Sequence, residues 1–254
     1  MVEIKALSAG YSGKEVLHGV DISFTPGEIT ALIGPNGCGK STLLKSVVGL
    51  CEITGGEILA DGIPVRELST ARLAQRVAYL PQERAVPEMT VMRMVLHGRF
   101  AYLSYPRRYR PQDIEAAREA LRQMDMEQLS GQRLSSLSGG TRQKVYIAMA
   151  LAQDSPTLLM DEPTTFLDVA HRIRMMETAR KLADSGKAVA MVLHDLDLAL
   201  GCCDKIAVMS NGRITGFGDP DYIFESRAVD NSFGVTLCRF KADNSWRYYC
   251  KTSF

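Results

Sequence analysis

Residues 34–41 read Gly-Pro-Asn-Gly-Cys-Gly-Lys-Ser and match the phosphate-binding pattern G-x-x-x-x-G-K-[ST]. An apolar, strand-like run at 29–33 precedes this loop, and residues 42–48 after it suit a helix. A glycine-rich turn between a strand and a helix lets backbone N–H groups surround an anion, and the helix directs its positive end at that anion. We then expect Lys40 to reach the β- and γ-phosphates and the Ser41 hydroxyl to bind Mg²⁺. The stretch predicts a nucleoside triphosphate site.

The bulk composition is that of an ordinary soluble globular protein. The 254 residues suit one large α/β domain, and a 46% hydrophobic content is enough for a core without disulfide help. The net charge of +1 gives no general attraction to nucleic acid, and we expect no nucleic acid partner. The six cysteines lack the spacing of a zinc site or a disulfide framework, which indicates a reducing compartment. The sequence has no apolar run of about 18 residues and no signal-peptide core, so we expect any membrane role to come through partners.

Short strand-like runs separated by turns fill the first part of the chain. The apolar positions Val2, Ile4 and Ala6 alternate with polar ones, as they do in a half-buried strand. Further along, Asp61-Gly62 separates two more short strand-like runs, 57–60 and 63–65, and is a strong hairpin signal. The opening of the chain is therefore predicted to be rich in β-structure.

From about residue 88 to 153 the pattern becomes helical. Ile114, Ala117, Leu121 and Met124 fall on one helical face, which we interpret as core. After this block the chain alternates again, with predicted strands at 157–160, 188–193, 205–209 and 213–217 and a helix near 169–184. Strands that alternate with helices favour a largely parallel sheet covered on both faces. The helical block is then an insertion between strands of that sheet.

Two carboxylates, Asp161 and Glu162, follow the apolar run at 157–160. An acid at the end of a buried strand beside a phosphate loop suits Mg²⁺, held directly or through water, so Asp161 is a candidate metal ligand. Glu162 is then placed to accept a proton from a water molecule that attacks the γ-phosphate. Alone, such a pair fits a solvated strand end equally well, but the phosphate loop upstream favours catalysis.

A second helix start suited to an anion lies at 137–140, Leu-Ser-Gly-Gly, ahead of the helical stretch 141–152. Ser138 is a favourable N-cap residue, and Gly139 and Gly140 permit a close backbone approach. One nucleotide does not need two such sites from one chain. We therefore expect this second site to serve the nucleotide held by another copy.

Together these segments resemble the nucleotide-binding subunit of an ABC (ATP-binding cassette) transporter, over nearly the whole chain to about residue 225. The phosphate loop resembles Walker A, 158–162 resembles Walker B with its catalytic acid, and 137–140 resembles the family signature. Three more stretches resemble the Q-loop, the D-loop and the switch region: Tyr79-Leu80-Pro81-Gln82-Glu83, Thr165-Phe166-Leu167-Asp168 and Val192-Leu193-His194-Asp195.

The resemblance implies a role for each of these residues. The implied catalytic residues are Glu162, His194 and Gln82. The implied Mg²⁺ ligands are Ser41, Gln82 and Asp161. The implied ATP-binding residues are Tyr11, which stacks on adenine in the family, and Gly34, Pro35, Asn36, Gly37, Cys38, Gly39, Lys40, Ser41 and Thr42. Ser138, Gly139 and Gly140 would contact the nucleotide of a sister subunit, and Asp168 would communicate across the dimer.

Three of these residues have plainer explanations when each is taken singly. Tyr11 fits a strand end, Gln82 fits a loop, and His194 fits a hydrogen-bonded boundary histidine. Six motifs in the family order outweigh these explanations. The signature departs from the family pattern at Thr141, where Gln is usual. The Ser-Gly-Gly core is intact, so we expect trans nucleotide contact to survive and the change to bear on dimer closure and rate.

The implied fold is α/β: an ABC-type P-loop NTPase core with a mixed sheet, an antiparallel β subdomain and an inserted helical subdomain. We expect a single ABC ATPase domain over 1–254. Within it, 1–87 and 154–225 form the nucleotide-binding core with the β subdomain, and 88–153 form the helical subdomain with the signature. Residues 226–254 remain as a C-terminal extension, expected to form a small closing element.

The resemblance also implies an assembly. ATP and Mg²⁺ are the expected cofactors, and ATP hydrolysis is the expected reaction. The expected partners are a second copy in a head-to-tail homodimer, two transmembrane permease subunits and a substrate-binding protein. The location would be the cytoplasmic face of a bacterial inner membrane. The candidate segment for permease docking is the loop after Gln82, with Val86, Met89 and the helix to Gly98.

The residues that follow this segment are open to two interpretations each. The aromatic residues Phe100, Tyr102 and Tyr105 are expected to be exposed and fit the docking surface, but core packing explains them equally well. The basic run at 107–110 fits either a solvated turn or a contact with a partner.

The resemblance is to the ATP-binding subunits of iron-siderophore, haem and cobalamin importers in particular. It is carried by residues 90–99, the helix after Pro111 and residues 194–204. ATP subunits do not touch cargo, so importers of molybdate or another oxyanion remain an alternative. A soluble non-transport ABC ATPase is the other alternative. Those of DNA repair typically carry a long coiled-coil or zinc insertion, and those of translation typically carry two cassettes; neither feature is present in this sequence.

Overall fold

The computed structural model describes residues 1–82, 86–165, 167–242 and 245–251. The elements before the helical block are β1 (Val2–Tyr11), β2 (Lys14–Phe24), β3 (Ile29–Ile33), α1 (Lys40–Val47), β4 (Glu52–Ala60), β5 (Ile63–Pro64), α2 (Thr70–Ala74) and β6 (Val77–Leu80). The block itself contains α3 (Val91–Leu96), a 3₁₀ turn (His97–Tyr102), α4 (Pro111–Gln123) and α5 (Gly139–Gln153). The remaining elements are β7 (Thr157–Met160), α6 (Val169–Asp184), β8 (Ala188–Val192), α7 (Leu196–Cys202), β9 (Lys205–Ser210), β10 (Arg213–Gly218), α8 (Pro220–Glu225), α9 (Ala228–Phe233), β11 (Thr236–Ala242) and β12 (Ser245–Lys251).

The larger sheet has six strands in the order β10-β9-β3-β8-β7-β6. Strand β3 pairs in parallel with both β8 and β9, and β7 pairs in parallel with β8 and β6. Only β10 runs antiparallel, because the Asn211-Gly212 turn returns it directly along β9. The predicted mixed, largely parallel sheet is therefore confirmed. The helical block lies between β6 and β7 in the chain, although those two strands are neighbours in the sheet.

The smaller sheet is antiparallel, in the order β2-β1-β4-β5. Its Asp61-Gly62 turn has φ values of 53° and 76°, as the predicted hairpin requires. The predicted alternation fails at Ala6, which has φ 46° and is exposed. The strand pairing shifts at this point, so Leu7 rather than Ala6 faces the core. The strand predicted at 63–65, after the Asp61-Gly62 turn, is one residue too long, because Val65 begins a 3₁₀ turn.

The core has two layers, one on each face of the larger sheet. One face packs against helices of the second half of the chain and of the helical block; its sheet residues include Ile29, Ala31 and Ile33. Leu32, on the opposite face of β3, packs with α1 and with the smaller sheet. Both faces of the central strand are covered, so every residue of β3 is buried. This burial fixes the point from which the phosphate loop departs.

The aromatic residues after α3 differ from one another in exposure. Phe100 and Tyr105 are exposed, as predicted. Tyr102 is partly buried, against the expected exposure and in line with the packing alternative. The Arg99 guanidinium lies 3.9 Å from the centre of its ring, and its hydroxyl donates to the Gln153 carbonyl at 2.8 Å. These contacts fix Tyr102 within the fold, against the end of α5.

The fully buried carboxylate of Asp113 organises the start of α4. It accepts hydrogen bonds from the Arg110 backbone N–H at 2.9 Å and from the Arg110 and Arg99 side chains, each at 3.3 Å. Burial alone would raise the pKa of Asp113, but the bonds from Arg110 and Arg99 outweigh it and lower that pKa. The helix that carries the predicted apolar face is thereby fixed to the preceding 3₁₀ turn.

The segment after β10 forms α8, α9 and the β11–β12 hairpin. The Tyr248 backbone N–H donates to the Asp197 carboxylate at 3.1 Å, which joins the hairpin to α7. Leu237 and Tyr248 are buried beneath the hairpin. The hairpin thus packs on the helix that directly follows His194. Among the described residues, no helix combines the length and apolar character needed to cross a bilayer.

Candidate nucleotide site

Four parallel strands deliver candidate site residues to one edge of the larger sheet. Strand β3 ends at the phosphate loop, β7 ends before Asp161 and Glu162, β8 ends shortly before His194, and β6 ends shortly before Gln82. Because parallel strands place their carboxyl ends on the same edge, residues from distant parts of the chain meet there. This is the usual location for a ligand site in an open α/β sheet.

The phosphate loop lies against the neighbouring strand. Gly34 has φ 153°, and a Cβ on it would lie 2.2 Å from the Met209 carbonyl oxygen of β9. Gly39 has φ 108° directly before α1, and a Cβ there would lie 2.8 Å from Leu17 Cδ2. Both positions therefore require glycine.

Lys40 is the first residue of α1, and its side chain is folded under the loop. Its ammonium donates to the Gly34 and Pro35 carbonyl oxygens at 2.8 and 2.9 Å and lies 3.8 Å from Cys38 Sγ. The residue is only 6% exposed. An ammonium group held at the start of a helix adds its charge to the positive end of the helix, and both favour phosphate.

Asp161 lies beside Ser41 and is almost completely buried. The Ser41 hydroxyl donates to the Asp161 carboxylate at 2.9 Å, and the Tyr79 hydroxyl donates to its other oxygen at 3.2 Å. Burial raises the pKa of Asp161, although the bonds from Ser41 and Tyr79 oppose the rise. A carboxylate and a hydroxyl are hard oxygen donors of the kind that Mg²⁺ prefers, and the amide of Gln82, whose nitrogen bonds to the neighbouring Glu162, can add a third such oxygen. The donor set fits the predicted ion.

Glu162 is bonded by side chains from three separate segments. Gln82 Nε2 donates to its carboxylate at 2.7 Å, Thr165 Oγ donates at 3.0 Å, and His194 Nε2 lies 2.7 Å from the other oxygen. The Glu162 backbone has φ 51°, in the left-handed region. The three predicted catalytic side chains, Glu162, Gln82 and His194, are therefore brought into direct contact.

Tyr11 ends β1 and lies beside the helix that follows the phosphate loop. Its side chain contacts the Thr42 and Cys51 side chains, and partial burial raises the pKa of its phenol. The residue is 40% exposed, so one part of it remains accessible. The position is compatible with the predicted contact to an adenine base.

The signature residues form the start of α5. Ser138 is its N-cap, and its hydroxyl accepts from the Thr141 N–H at 3.3 Å. The Ser138 and Thr141 hydroxyls are 2.8 Å apart, so the unusual residue of the signature contacts the serine directly. No hydrogen bond or ion pair joins Ser138, Gly139 or Gly140 to the phosphate loop among the residues with described positions.

Asp168 caps α6 and pairs with a histidine. Its carboxylate accepts from the His171 backbone N–H and lies 2.8 Å from His171 Nδ1. The bond from the His171 backbone, followed by the one from its side chain, lowers the pKa of Asp168. Glu83 of the predicted Q-loop and Phe166 of the predicted D-loop lie outside the described residues.

Sequence reasoning missed four residues that contact the predicted site. Tyr79 bonds to Asp161, Thr165 to Glu162 and His171 to Asp168, and Gln143 donates to the Pro163 carbonyl at 2.9 Å. Tyr79 and Thr165 were visible as neighbours within predicted motifs. His171 follows Asp168 at the spacing of a helix cap, whereas nothing in the sequence near Gln143 indicates Pro163.

The fold and the site define a P-loop nucleotide-binding protein. The family model described as ABC transporter matches residues 17–165, more than half of the chain. The chain belongs to the ABC transporter family and is an ATP-binding subunit that hydrolyses ATP. The predicted family and fold class are thereby confirmed.

Two relatives and one solved structure extend this result. The chain is 39% identical to the achromobactin transport ATP-binding protein CbrD of Dickeya dadantii, over 94% of this chain and 89% of that protein. It is 36% identical to the probable siderophore transport system ATP-binding protein YusV of Bacillus subtilis, over 95% and 88%. It also resembles the dimeric structure of the ATP-binding cassette MJ0796 bound to ADP and Pi, with a TM-score of 0.76, 27% identity and coverage of 87% and 99%.

Proposed function

We propose that this protein is the ATPase subunit of an importer for a metal chelate of the iron-siderophore, haem or cobalamin type. The observation that carries the ATPase assignment is the meeting of Glu162, Gln82 and His194 beside Asp161 and the phosphate loop. The cargo class is supported by the siderophore-type transport named for similar proteins over nearly the whole chain.

The side chains have separate tasks in this reaction. Lys40 and the start of α1 hold the β- and γ-phosphates. Ser41, Asp161 and Gln82 would hold Mg²⁺, which neutralises charge on the phosphate oxygens when it is bound. Positioning and charge neutralisation supply most of the catalysis, because phosphoryl transfer needs little covalent work from the protein.

Glu162 acts as the base toward water, with His194 and Gln82 orienting the reactants. Side chains already bond both carboxylate oxygens of Glu162. A carboxylate offers about four lone-pair sites, so these three bonds leave one on the oxygen that faces His194 for the attacking water. The exposed bond from Gln82 helps to hold the carboxylate in this orientation.

The complete site needs a second copy of the chain. Ser138, Gly139 and Gly140 at the start of α5 would contact the nucleotide on the sister subunit, and Asp168 would lie at the dimer contact. The backbone N–H groups at the start of α5 and the dimeric form of a similar cassette support this arrangement. Tyr11 would stack on adenine. We retain the division into a core at 1–87 and 154–225, a helical subdomain at 88–153 and an extension at 226–254.

Two transmembrane permease subunits would carry the cargo, and a substrate-binding protein would deliver it. The ATPase would then lie at the cytoplasmic face of the inner membrane. Val86, Met89 and the helix to Gly98 would receive the permease, and the exposed Phe100 and Tyr105 extend that surface. Closure of the ATPase dimer on ATP is the two-state event that the permease would use.

Reconstitution tests the transport assignment. The chain is purified together with candidate permease subunits from neighbouring genes and placed in vesicles with a ferric siderophore, haem or cobalamin outside. ATP-dependent accumulation of one of these chelates is expected, with none when Lys40→Ala is substituted. Copurification with no multi-span membrane protein, or accumulation of molybdate in place of every chelate, would contradict the proposal.

A further inference from the structure

A hydrogen bond joins α5 to the loop that carries Glu162, and the mechanism above does not use it. The Gln143 side-chain nitrogen donates to the Pro163 carbonyl oxygen at 2.9 Å. Pro163 is buried and directly follows Glu162. Gln143 lies about one helical turn beyond Gly139, where α5 begins. One side chain thus connects the signature helix to the backbone next to the catalytic acid.

Helix α5 lies near the D-loop at its beginning and is bonded to the core at its far end. Near its beginning, a Cβ on Gly140 would lie 3.8 Å from Leu167 Cδ2, so the first turn packs close to the D-loop. At its far end, Gln153 Nε2 donates to the Ala74 and Val77 carbonyl oxygens at 2.6 and 3.2 Å. The far end of α5 is therefore held by the core, and the bond from Gln143 joins its early part to the loop at 162–165.

The loop needs such a support, because Glu162 adopts a left-handed backbone conformation with φ 51°. A non-glycine residue keeps this conformation only when its surroundings hold it. Within the loop, the Thr165 N–H and hydroxyl bond to the Glu162 carbonyl and carboxylate at 3.3 and 3.0 Å. The bond from Gln143 adds a constraint on the next peptide from outside the loop.

We propose that Gln143 is a positioning residue for the catalytic acid. It ties the loop at 162–165 to the helix whose first turn meets the nucleotide of the sister subunit, so that the Glu162 carboxylate and the signature move as one unit. The inference rests on the proposed function, because the dimer supplies that nucleotide. Closure of the dimer on ATP then places Glu162 against the attacking water.

Three variants test the tether in the full-length protein. Gln143→Met keeps the length of the side chain and removes the donor, Gln143→Lys keeps a donor, and Gln132→Met changes an exposed glutamine elsewhere as a control. Loss of one bond of this kind is expected to lower kcat about fivefold for Gln143→Met with an unchanged KM for ATP. Gln143→Lys should recover most of the kcat, and the control should match the wild type.

A second measurement separates the loop from the helix. Glu162→Gln is expected to trap an ATP-bound dimer. In the double variant Glu162→Gln, Gln143→Met, the ATP concentration at which half of the protein is dimeric should be the same as in Glu162→Gln alone. An unchanged kcat for Gln143→Met, or no recovery with Lys, would overturn the tether alone. A shift of the ATP concentration for half-maximal dimer formation by the same factor as kcat would also overturn the tether, because Gln143 would then act by supporting the start of α5. Failure of Glu162→Gln by itself to trap a dimer would overturn the proposed function and the tether with it.

Discussion

Replacement of Glu162 by Gln separates the chemistry at this site from its structure. The new side chain has the same shape, and its amide oxygen can still accept from Gln82 and Thr165, which bond one carboxylate oxygen at 2.7 and 3.0 Å. The amide nitrogen then faces His194 Nε2, which lies 2.7 Å from the other oxygen. It can donate there when the imidazole proton is on Nδ1. All the contacts of Glu162 therefore survive in neutral form.

The size of the two effects should differ widely. Exchanging three bonds to a carboxylate for neutral bonds should reduce the free energy of unfolding by about 1 to 3 kcal/mol. Loss of a general base costs about 10²- to 10⁴-fold in rate, or about 3 to 5 kcal/mol of activation free energy. Lys40, Ser41 and Asp161 are untouched, so the dissociation constant for ATP should change little.

The measurement is phosphate release by the assembled complex, with ATP binding and sedimentation of the isolated chain alongside it. Glu162→Gln should bind ATP normally, release phosphate at least about a hundredfold more slowly and sediment as a dimer with ATP. Glu177→Gln, an exposed glutamate on α6, serves as the matched control and should behave as wild type. Phosphate release at the wild-type rate would refute the assignment of the base. Loss of ATP binding would refute the view that the contacts of Glu162 survive.

Three further changes test other parts of the structure. Thr141→Val removes the hydroxyl that lies 2.8 Å from the Ser138 hydroxyl. The ATP concentration needed for dimer formation, measured by light scattering, should then rise about fivefold. Thr141→Ser keeps the hydroxyl and should leave that concentration unchanged. Burial raises the pKa of Asp161, so the stability of the fold falls as pH rises from the ordinary aspartate range through that raised pKa. Asp161→Asn removes the buried charge and should therefore increase the Tm measured by calorimetry at pH 7 in EDTA. The same substitution should abolish Mg²⁺-dependent turnover. The pKa of Asp113 is lowered, so its ionised form stabilises the fold above the ordinary aspartate range and this contribution is lost as pH falls through the lowered pKa. Asp113→Asn should cost about 3 kcal/mol in urea unfolding at pH 7, and the difference from wild type should shrink below about pH 4.

The sequence was most informative where local chemistry and fold agree. The strand at 29–33 and the helix at 169–184 were predicted with the observed bounds, because apolar runs and caps define both of them locally. The bulge at Ala6 was not predictable in this way. An alanine fits either face of a strand, and only the pairing with β2 and β4 determines where the register shifts.

The same contrast holds for the candidate site. Motif residues such as Lys40, Asp161 and His194 could be named from their positions after strands. The partners that hold them could not, because such bonds depend on tertiary placement: Tyr79 reaches Asp161 across neighbouring strands, and Arg99 buries the ring of Tyr102. Spacing along the chain identifies candidate chemistry, whereas three-dimensional contacts decide which side chains are held and which are exposed.

The close approach of Gly34 to the Met209 carbonyl affects how loop variants should be interpreted. Any larger residue at position 34 would force apart two adjoining strands before it met a ligand. Weaker nucleotide binding by such a variant would therefore result from the displaced strands and would not measure the contribution of the loop to phosphate binding. Variants at Gly37, where an added methyl group has open space around it, still pay for a left-handed backbone but disturb no neighbour.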